Sequence, residues 1–460
     1  MAARFVHIDH DTPLLLPPDL RDWISKDHLV HFIMDAVDAL DLSSAKTNQR
    51  GTGSAQYPPA TMLALLIYCY ATGTFASRRI ETLTYENVAV RYLCADTHPD
   101  HDSICKFRRE NKALLASCFH QILELATLAN ILKVGDLTVS GDGTKLFANA
   151  SRHSAMSHDR IEKEIKLAQD QIAELLQKAE DADSTPLQDG LTIPAEIELR
   201  EVRLAKLKEA KAVLEERAKA RFKNEQIAHE QKLAERKAKE EKTGRKPRGK
   251  APKPPVPGPR PKDQYNFTDP ESRIMRSGGS FEQCYNFQAT VEVGTMLIVG
   301  GHITDAPNDK EQLQPILESI SPVVGQVENL LVDNGYYSEK AVTEVESGDG
   351  KPTVYAAVKR TPHGRSVSQL EAHPEPEPPQ HPGATMKEIM VHRLETKAGR
   401  ALYKLRKETV EPVFGIIKEV IGFRRFMLRG KEKVSLESDL IKSSYNLKRL
   451  HKLGMNIATS

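Results

Sequence analysis

Over residues 20–130, apolar side chains recur every three or four positions, the period of helices that turn one face to a core. LRDWISKDHLVHFIMDAVDAL, PPATMLALLIYCYATG, SRRIETLTYENVAVRYL and a long run opening at PDHDSICKFRREN each carry it. Pro58 and Pro59 precede the second run, where a helix start tolerates proline. Asp102 or Ser103 suits the N-cap of the last. The period switches at Gly135. DLTVSGDGTKLFANAS alternates apolar and polar residues, the pattern of a half-buried strand, with Asp142 at its centre between Gly141 and Gly143. Short β-branched runs return in CYNFQATVEV, MLIVGGHIT, VENLLVDNGYY and PTVYAAVKR. A helical segment, NDKEQLQPILESI, separates the second from the third, with Asn308 or Asp309 as its cap. From Lys387 onward the helical period resumes, broken near Gly422 and Gly430.

A different pattern interrupts the strands. Ile161, Ile165, Ala168, Ile172 and Leu175 step by four and three, a heptad seam. A turn-rich break, DADSTPLQDGLTIP, leads to a second charged helix from about Ala195 to Glu241. Residues 157–245 therefore predict an inserted coiled-coil hairpin. Residues 246–262 follow as a basic, proline-rich linker, extended and solvated. Residues 362–385 read as a proline- and histidine-rich loop.

Composition changes this picture at a few points. The net charge of +2 makes no case for nucleic acid, but residues 400–460 hold 14 Lys and Arg against 6 acids. No run of about 18 apolar residues could span a membrane, and histidines and aspartates stand where a signal peptide is basic, so a cytoplasmic protein is expected. Five scattered cysteines without a CxxC pair argue against a zinc site and read as free thiols. The cluster Arg78, Arg79, Lys106, Arg108 and Arg109 reads first as a solvated helix face, with DNA contact as the alternative. His98 and His101 lack a third ligand and read as structural.

Three acids stand out by context: Asp142 within a strand, Asp333 closing an apolar strand, and Glu411 in the helix LYKLRKETVEPVFGIIKEVI. A carboxylate near a strand centre is costly unless solvated, paired or bound to metal. Phosphodiester cleavage with two metal ions needs such acids gathered from separate elements. Glu411 and Lys418, seven apart, share a helix face; Arg406 and Glu411 align less well. Pro412 suggests that a helix begins or kinks there. Tyr336 and Tyr337 read as packing residues, and Asn286 and Gln288 as residues that could orient a phosphate.

These segments resemble the DDE transposases of bacterial insertion sequences, in the branch with an all-helical N-terminal domain and a tyrosine–arginine–glutamate–lysine signature on the last catalytic helix. SGDGTKLFANAS, LVDNGYYSEK and YKLRKETVEPVFGIIK carry the resemblance, with MRSGGSFEQCYNFQATVE, TDAPNDKEQL, SRRIETLTYENVAVRYLCADTHPDHDSICKFRREN and the basic tail. It implies an α/β fold: a ribonuclease-H-like core, with a mixed sheet flanked by helices, over 135–156 and 263–460, and an all-α N-terminal domain over 1–130 that binds DNA ends. It implies Asp142, Asp333 and Glu411 as catalytic metal ligands for Mg²⁺, with Mn²⁺ as a substitute. Tyr403, Arg406 and Lys418 fall on the signature as DNA contacts, joined by Arg424, Arg425 and Arg429 of the tail. The partners implied are double-stranded DNA, as element ends and target, and a second copy in a homodimer. The chemistry implied is cleavage at element ends and transfer of 3′-hydroxyl strands; the alternatives are a DNA endonuclease without strand transfer and a non-catalytic DNA-binding descendant. One departure is visible. Four residues separate Arg406 from Glu411 where the signature has three, so Lys407 competes for the arginine's place and Glu408 for the third carboxylate's.

Overall fold

A computed structural model describes residues 19–47, 55–181, 193–244, 249–347, 351–358 and 384–457. Most of the 362–385 loop and the break between the two helices of the hairpin lie outside these residues. The chain divides into two compact units, Met1–Ala148 with Cys284–Ser460, and Asn149–Gln283.

The first unit opens with helices α1 (Leu29–Asp38), α2 (Pro59–Ala71), α3 (Ser77–Glu86), α4 (Val88–Leu93), α5 (His101–Glu110) and α6 (Lys112–Leu128). α2 is buried from Met62 to Ala71, which suits its nearly unbroken apolar sequence. The single long helix expected from Asp102 is two. Asp100 rather than Asp102 caps the first, its carboxylate accepting from Ser103 N–H at 2.6 Å. Asn111 parts them; its side chain is spent on Lys46 N–H and the Phe107 carbonyl.

Among the described residues a six-stranded mixed sheet follows. The strands are β1 (Leu137–Phe147), β5 (Ser280–Glu292), β6 (Ile298–Thr304), β7 (Val327–Val332) and β8 (Thr353–Ala356), with β4 (Arg273–Ser277) also paired to β5. The order is β6-β5-β1-β7-β8. β5 runs antiparallel to both β1 and β6, while β1, β7 and β8 run parallel. α9 (Leu313–Glu318) and α10 (Glu339–Glu346) connect the later strands. α11 (Met386–Glu395), α12 (Lys397–Gly415) and α13 (Lys431–Lys452) complete the unit. α12 packs on β1, β7 and β8, and α13 touches β6 together with α1, α2 and α6. The N-terminal helices thus share one core with the sheet. No helix among the described residues is long and apolar enough to cross a membrane.

The second unit holds α7 (His158–Asp181), α8 (Ile193–Thr243), a two-stranded sheet of β2 (Ala155–Ser157) and β3 (Gln264–Asn266), and strand β4. α8 has 51 residues, a length of about 75 Å. Ile161, Leu207, Ala210, Leu214 and Tyr265 form its core. The seam on α7 is tight at Ile161 and Ala168 and loosens toward Ile172 and Leu175. The basic proline-rich segment differs from a free linker. Arg221 binds the Gly258 carbonyl and Asp263, His229 meets the Pro252 carbonyl, and Arg236 donates to Gly249, so the segment lies back along α8. Prolines donate no N–H, but their neighbourhood keeps carbonyls free to accept these side chains.

Candidate active site

β1 positions the first acid. Its two faces alternate, so Ser140, Asp142 and Thr144 share one face and Gly141, Gly143 and Lys145 the other. α12 covers the Asp142 face, where the Ser140 hydroxyl donates to the Arg406 carbonyl at 3.4 Å. β1 pairs with β7 only as far as Gly141↔Val332. Asp142 and Asp333 are therefore the next residues along two adjacent parallel strands, at the end where pairing stops. Asp333 opens a short turn, Asn334–Tyr336, and its side chain is half-exposed.

α12 supplies the third acid. Thr396 caps it by accepting from Gly399 N–H at 3.0 Å. The helix runs through Pro412, which neither starts nor ends it, because the missing amide hydrogen removes only one ladder bond. Arg406, Thr409, Val410, Val413 and Phe414 are its buried face. Glu411 stands half-exposed at the border of that face.

The three acids meet at one guanidinium. Arg406 Nη2 lies 3.0 Å from Glu411 Oε1 and 4.0 Å from Asp333 Oδ1, and Nη1 lies 3.6 Å from Asp142 Oδ2. The arginine side chain is only 7% exposed. The sequence assigned Arg406 to DNA; in the fold it is buried among carboxylates. Helical angle argued against its pairing with Glu411, but the long side chain spans the offset. Tyr403, one turn before, sets its ring 6.0 Å from the guanidinium. Glu408 faces away and pairs with Lys404 at 3.4 Å, and Lys407 is exposed.

Electrostatics mark Asp142 apart. Burial pushes its carboxyl up to about 6, aided by the neighbouring charges of Asp333 and Asp309. The Gly143 N–H, at 2.8 Å, and Arg406 pull the other way without cancelling burial. Lys418, in a π-turn segment (Ile416–Val420) that extends α12, donates to Thr144 Oγ1, on the Asp142 face of β1. Burial lowers its pKa from the ordinary lysine value.

Arg424, Arg425 and Arg429 do not join this cluster. They lie on the loop after the π-turn, where Phe423 and Phe426 point inward and the arginines outward. Arg424 pairs with Glu419 and caps the Lys418 carbonyl; Arg425 lies over the Phe147 ring at 5.7 Å. His98 stacks on Tyr85 and His101 pairs with Glu81 at 2.8 Å, both in structural contacts.

One participant escaped sequence reading. Asp309, taken for a helix cap, accepts from Asn286 and Gln288 amides, each at 2.7 Å, and lies 3.7 Å from Lys145 Nζ. This places a fourth carboxylate beneath the opposite face of β1. The nearby sequence TDAPND offers several acids and no periodicity to single it out.

Among the described residues, no three His, Cys, Asp or Glu side chains stand in a metal-holding arrangement; the acids ring the guanidinium instead. Two family models match the chain. One, described as a transposase domain (DUF772), covers residues 18–110, and the other, a transposase DDE domain, covers residues 380–451 and so includes Glu411. No curated protein and no solved structure matches significantly. Both matches are to transposase domains, one near each end of the chain, and together they support an insertion-sequence DDE transposase.

Proposed function

We propose that this chain is a metal-dependent DNA transposase that cleaves the ends of its element and transfers 3′-hydroxyl strands to target DNA. The observation that carries the proposal is the meeting of Asp142, Asp333 and Glu411 around Arg406. The strand order β6-β5-β1-β7-β8, with two antiparallel neighbours followed by two parallel ones, supports a ribonuclease-H-like core. Three carboxylates without nitrogen or sulfur donors form a hard oxygen set that fits Mg²⁺ or Mn²⁺. The upward shift of Asp142 and the drawing of a guanidinium among the acids both mark a place that favours positive charge. Bound there, a divalent ion would lower the charge barrier at the scissile phosphate as a Lewis acid.

The chain's own residues have distinct parts. Asp142 sits at the centre of β1 and Asp333 just past the end of β7 on the same sheet, and Glu411 approaches from α12, so the acids are held by three packed elements. Arg406 offsets their mutual repulsion and fixes their spacing. Lys418, partly buried beside β1, offers a point charge to a phosphate at the same face. Arg424, Arg425 and Arg429 contact the backbone of DNA outside the cluster. The helices of residues 1–130 hold the element ends, and the α7–α8 hairpin pairs two copies of the chain when two ends are cut together.

Purified full-length protein incubated with labelled element ends, target DNA and Mg²⁺ tests this. Nicked ends bearing 3′-hydroxyls, followed by joined products, are expected. Cleavage without joining would make the protein an endonuclease, and binding without cleavage a non-catalytic descendant.

A further inference from the structure

Tyr336 is fully buried and closes the turn that begins at Asp333. Its hydroxyl donates to Gln288 Oε1. Gln288, fully buried on β5, spends its amide nitrogen on Asp309 Oδ1 at 2.7 Å. The bond to Asp309 turns the amide oxygen toward Tyr336, and because that oxygen can only accept, the phenol donates. Asn286 donates to the same Asp309 oxygen, and Lys145 balances its charge at 3.7 Å. The polarity of the chain of bonds is thus set from one end: carboxylate, amide, phenol, turn.

The cluster also reaches beneath Asp142. Gly143 pairs with Gln288 in the β1–β5 register. A Cβ on residue 143 would come within 2.3 Å of the Gln288 amide nitrogen, 2.8 Å of Asp309 Oδ1 and 2.9 Å of Asn286 Oδ1. The polar cluster fills the space that a side chain would need, directly beside the first acid. Packing Tyr336 alone would not require this arrangement; a phenylalanine with an apolar neighbour would do.

We propose that Asp309, Gln288 and Tyr336 are positioning residues that hold the Asp333 turn in register with Asp142. The proposal rests on the reading of Asp142 and Asp333 as metal-binding acids. Asp309 touches neither acid in this role; it acts through Gln288 and Tyr336.

The test is an exchange of polarity in the full-length protein. Gln288→Glu alone sets two carboxylates face to face and removes the donor, and Tyr336→Phe removes the far end of the relay while keeping the ring. Adding Asp309→Asn to Gln288→Glu restores an amide opposite a carboxylate. Backbone hydrogen exchange across residues 333–337 should speed up about five- to tenfold in each single variant, the worth of one buried hydrogen bond. It should return close to wild type in the double variant. Cleavage should fall about 10- to 100-fold in the single variants, the scale of a misplaced reacting group, with DNA affinity unchanged, and should recover with the exchange rates. Unaltered exchange in Tyr336→Phe, or a double variant no nearer wild type than Gln288→Glu, would overturn the relay. A wild-type protein that never cleaves would instead remove the transposase reading, and the exchange rates would still judge the relay.

Discussion

Asp142 sits where its charge is disfavoured, and that has a measurable sign. Its carboxyl titrates near 3.8 in an unfolded chain and is raised by burial to about 6 in the fold. Below pH 4 both states hold the proton and burial costs nothing through this group. Above pH 6 the folded state carries the full cost of a buried anion, so stability is lost as pH rises through that window. Asp142→Asn removes the charge and keeps the shape. In metal-free buffer it should stabilise the protein at pH 8 by on the order of 2 kcal/mol and leave stability at pH 4 nearly unchanged. Thermal melting at the two pH values checks this; an equal gain at both would mean that the effect is not electrostatic. The three acids were legible from their places at a strand centre, a strand end and a helix face. Arg406 was named through the resemblance, but its place among the acids was not legible, because a helical angle describes where Cα atoms point and not how far a guanidinium reaches. Gln288 and Tyr336 were read as phosphate-orienting and packing residues, since nothing local in YNFQ or NGYY reveals that they bond to each other across 48 positions.

The loop between the π-turn and α13 shows how an element without regular structure is held. Phe423 and Phe426 pack edge to face with each other, and Phe423 also against Phe75 and Tyr70. The buried Glu437 carboxylate on α13 accepts from Met427 and Leu428 N–H groups and from the Tyr70 hydroxyl at 2.8 Å. The backbone of residue 147 bonds to residues 424 and 426 on either side of Arg425. These fastenings leave the arginine heads outward on a fixed track. Reversing Arg424, Arg425 and Arg429 to glutamate should weaken binding to every DNA sequence and flatten the dependence of log K on log salt by up to about 3, if each meets one phosphate. A filter-binding series over salt concentration measures it, and an unchanged slope would put the DNA elsewhere. The glycines at 422 and 430 foretold the loop, but not Glu437 as its anchor, because that contact depends on how α13 packs. Pro412 does not start the helix as its position suggested it could: with Thr396 capping the helix sixteen residues upstream and a buried face around it, one lost ladder bond is tolerated.

At the scale of the whole chain, the alternation of strand and helix periods made the α/β core readable, and the heptad seam made the two long helices readable. The association of α1–α6 with the sheet was not, since α13 joins them only after the chain has returned from more than 300 residues away. The second compact unit begins at Asn149 and ends at Gln283, wider than the periodic helices, because β2, β3 and the proline-rich segment along α8 belong to it. Such a long excursion between β1 and β5 leaves the register of the two strands intact, with Asp142 opposite Ala289. What the whole arrangement accomplishes is to bring residues 142, 333 and 411 to one place, and the most direct test acts there. Asp142→Asn, Asp333→Asn and Glu411→Gln should each keep the fold and the affinity for DNA, which rests on lysines and arginines. Each should lose cleavage of labelled element ends by orders of magnitude. Glu408→Gln, on the outer face of α12 with Lys404, should cleave almost as wild type. An active Glu411→Gln beside an inactive Glu408→Gln would contradict the third carboxylate, and full activity in all four variants would contradict the site itself.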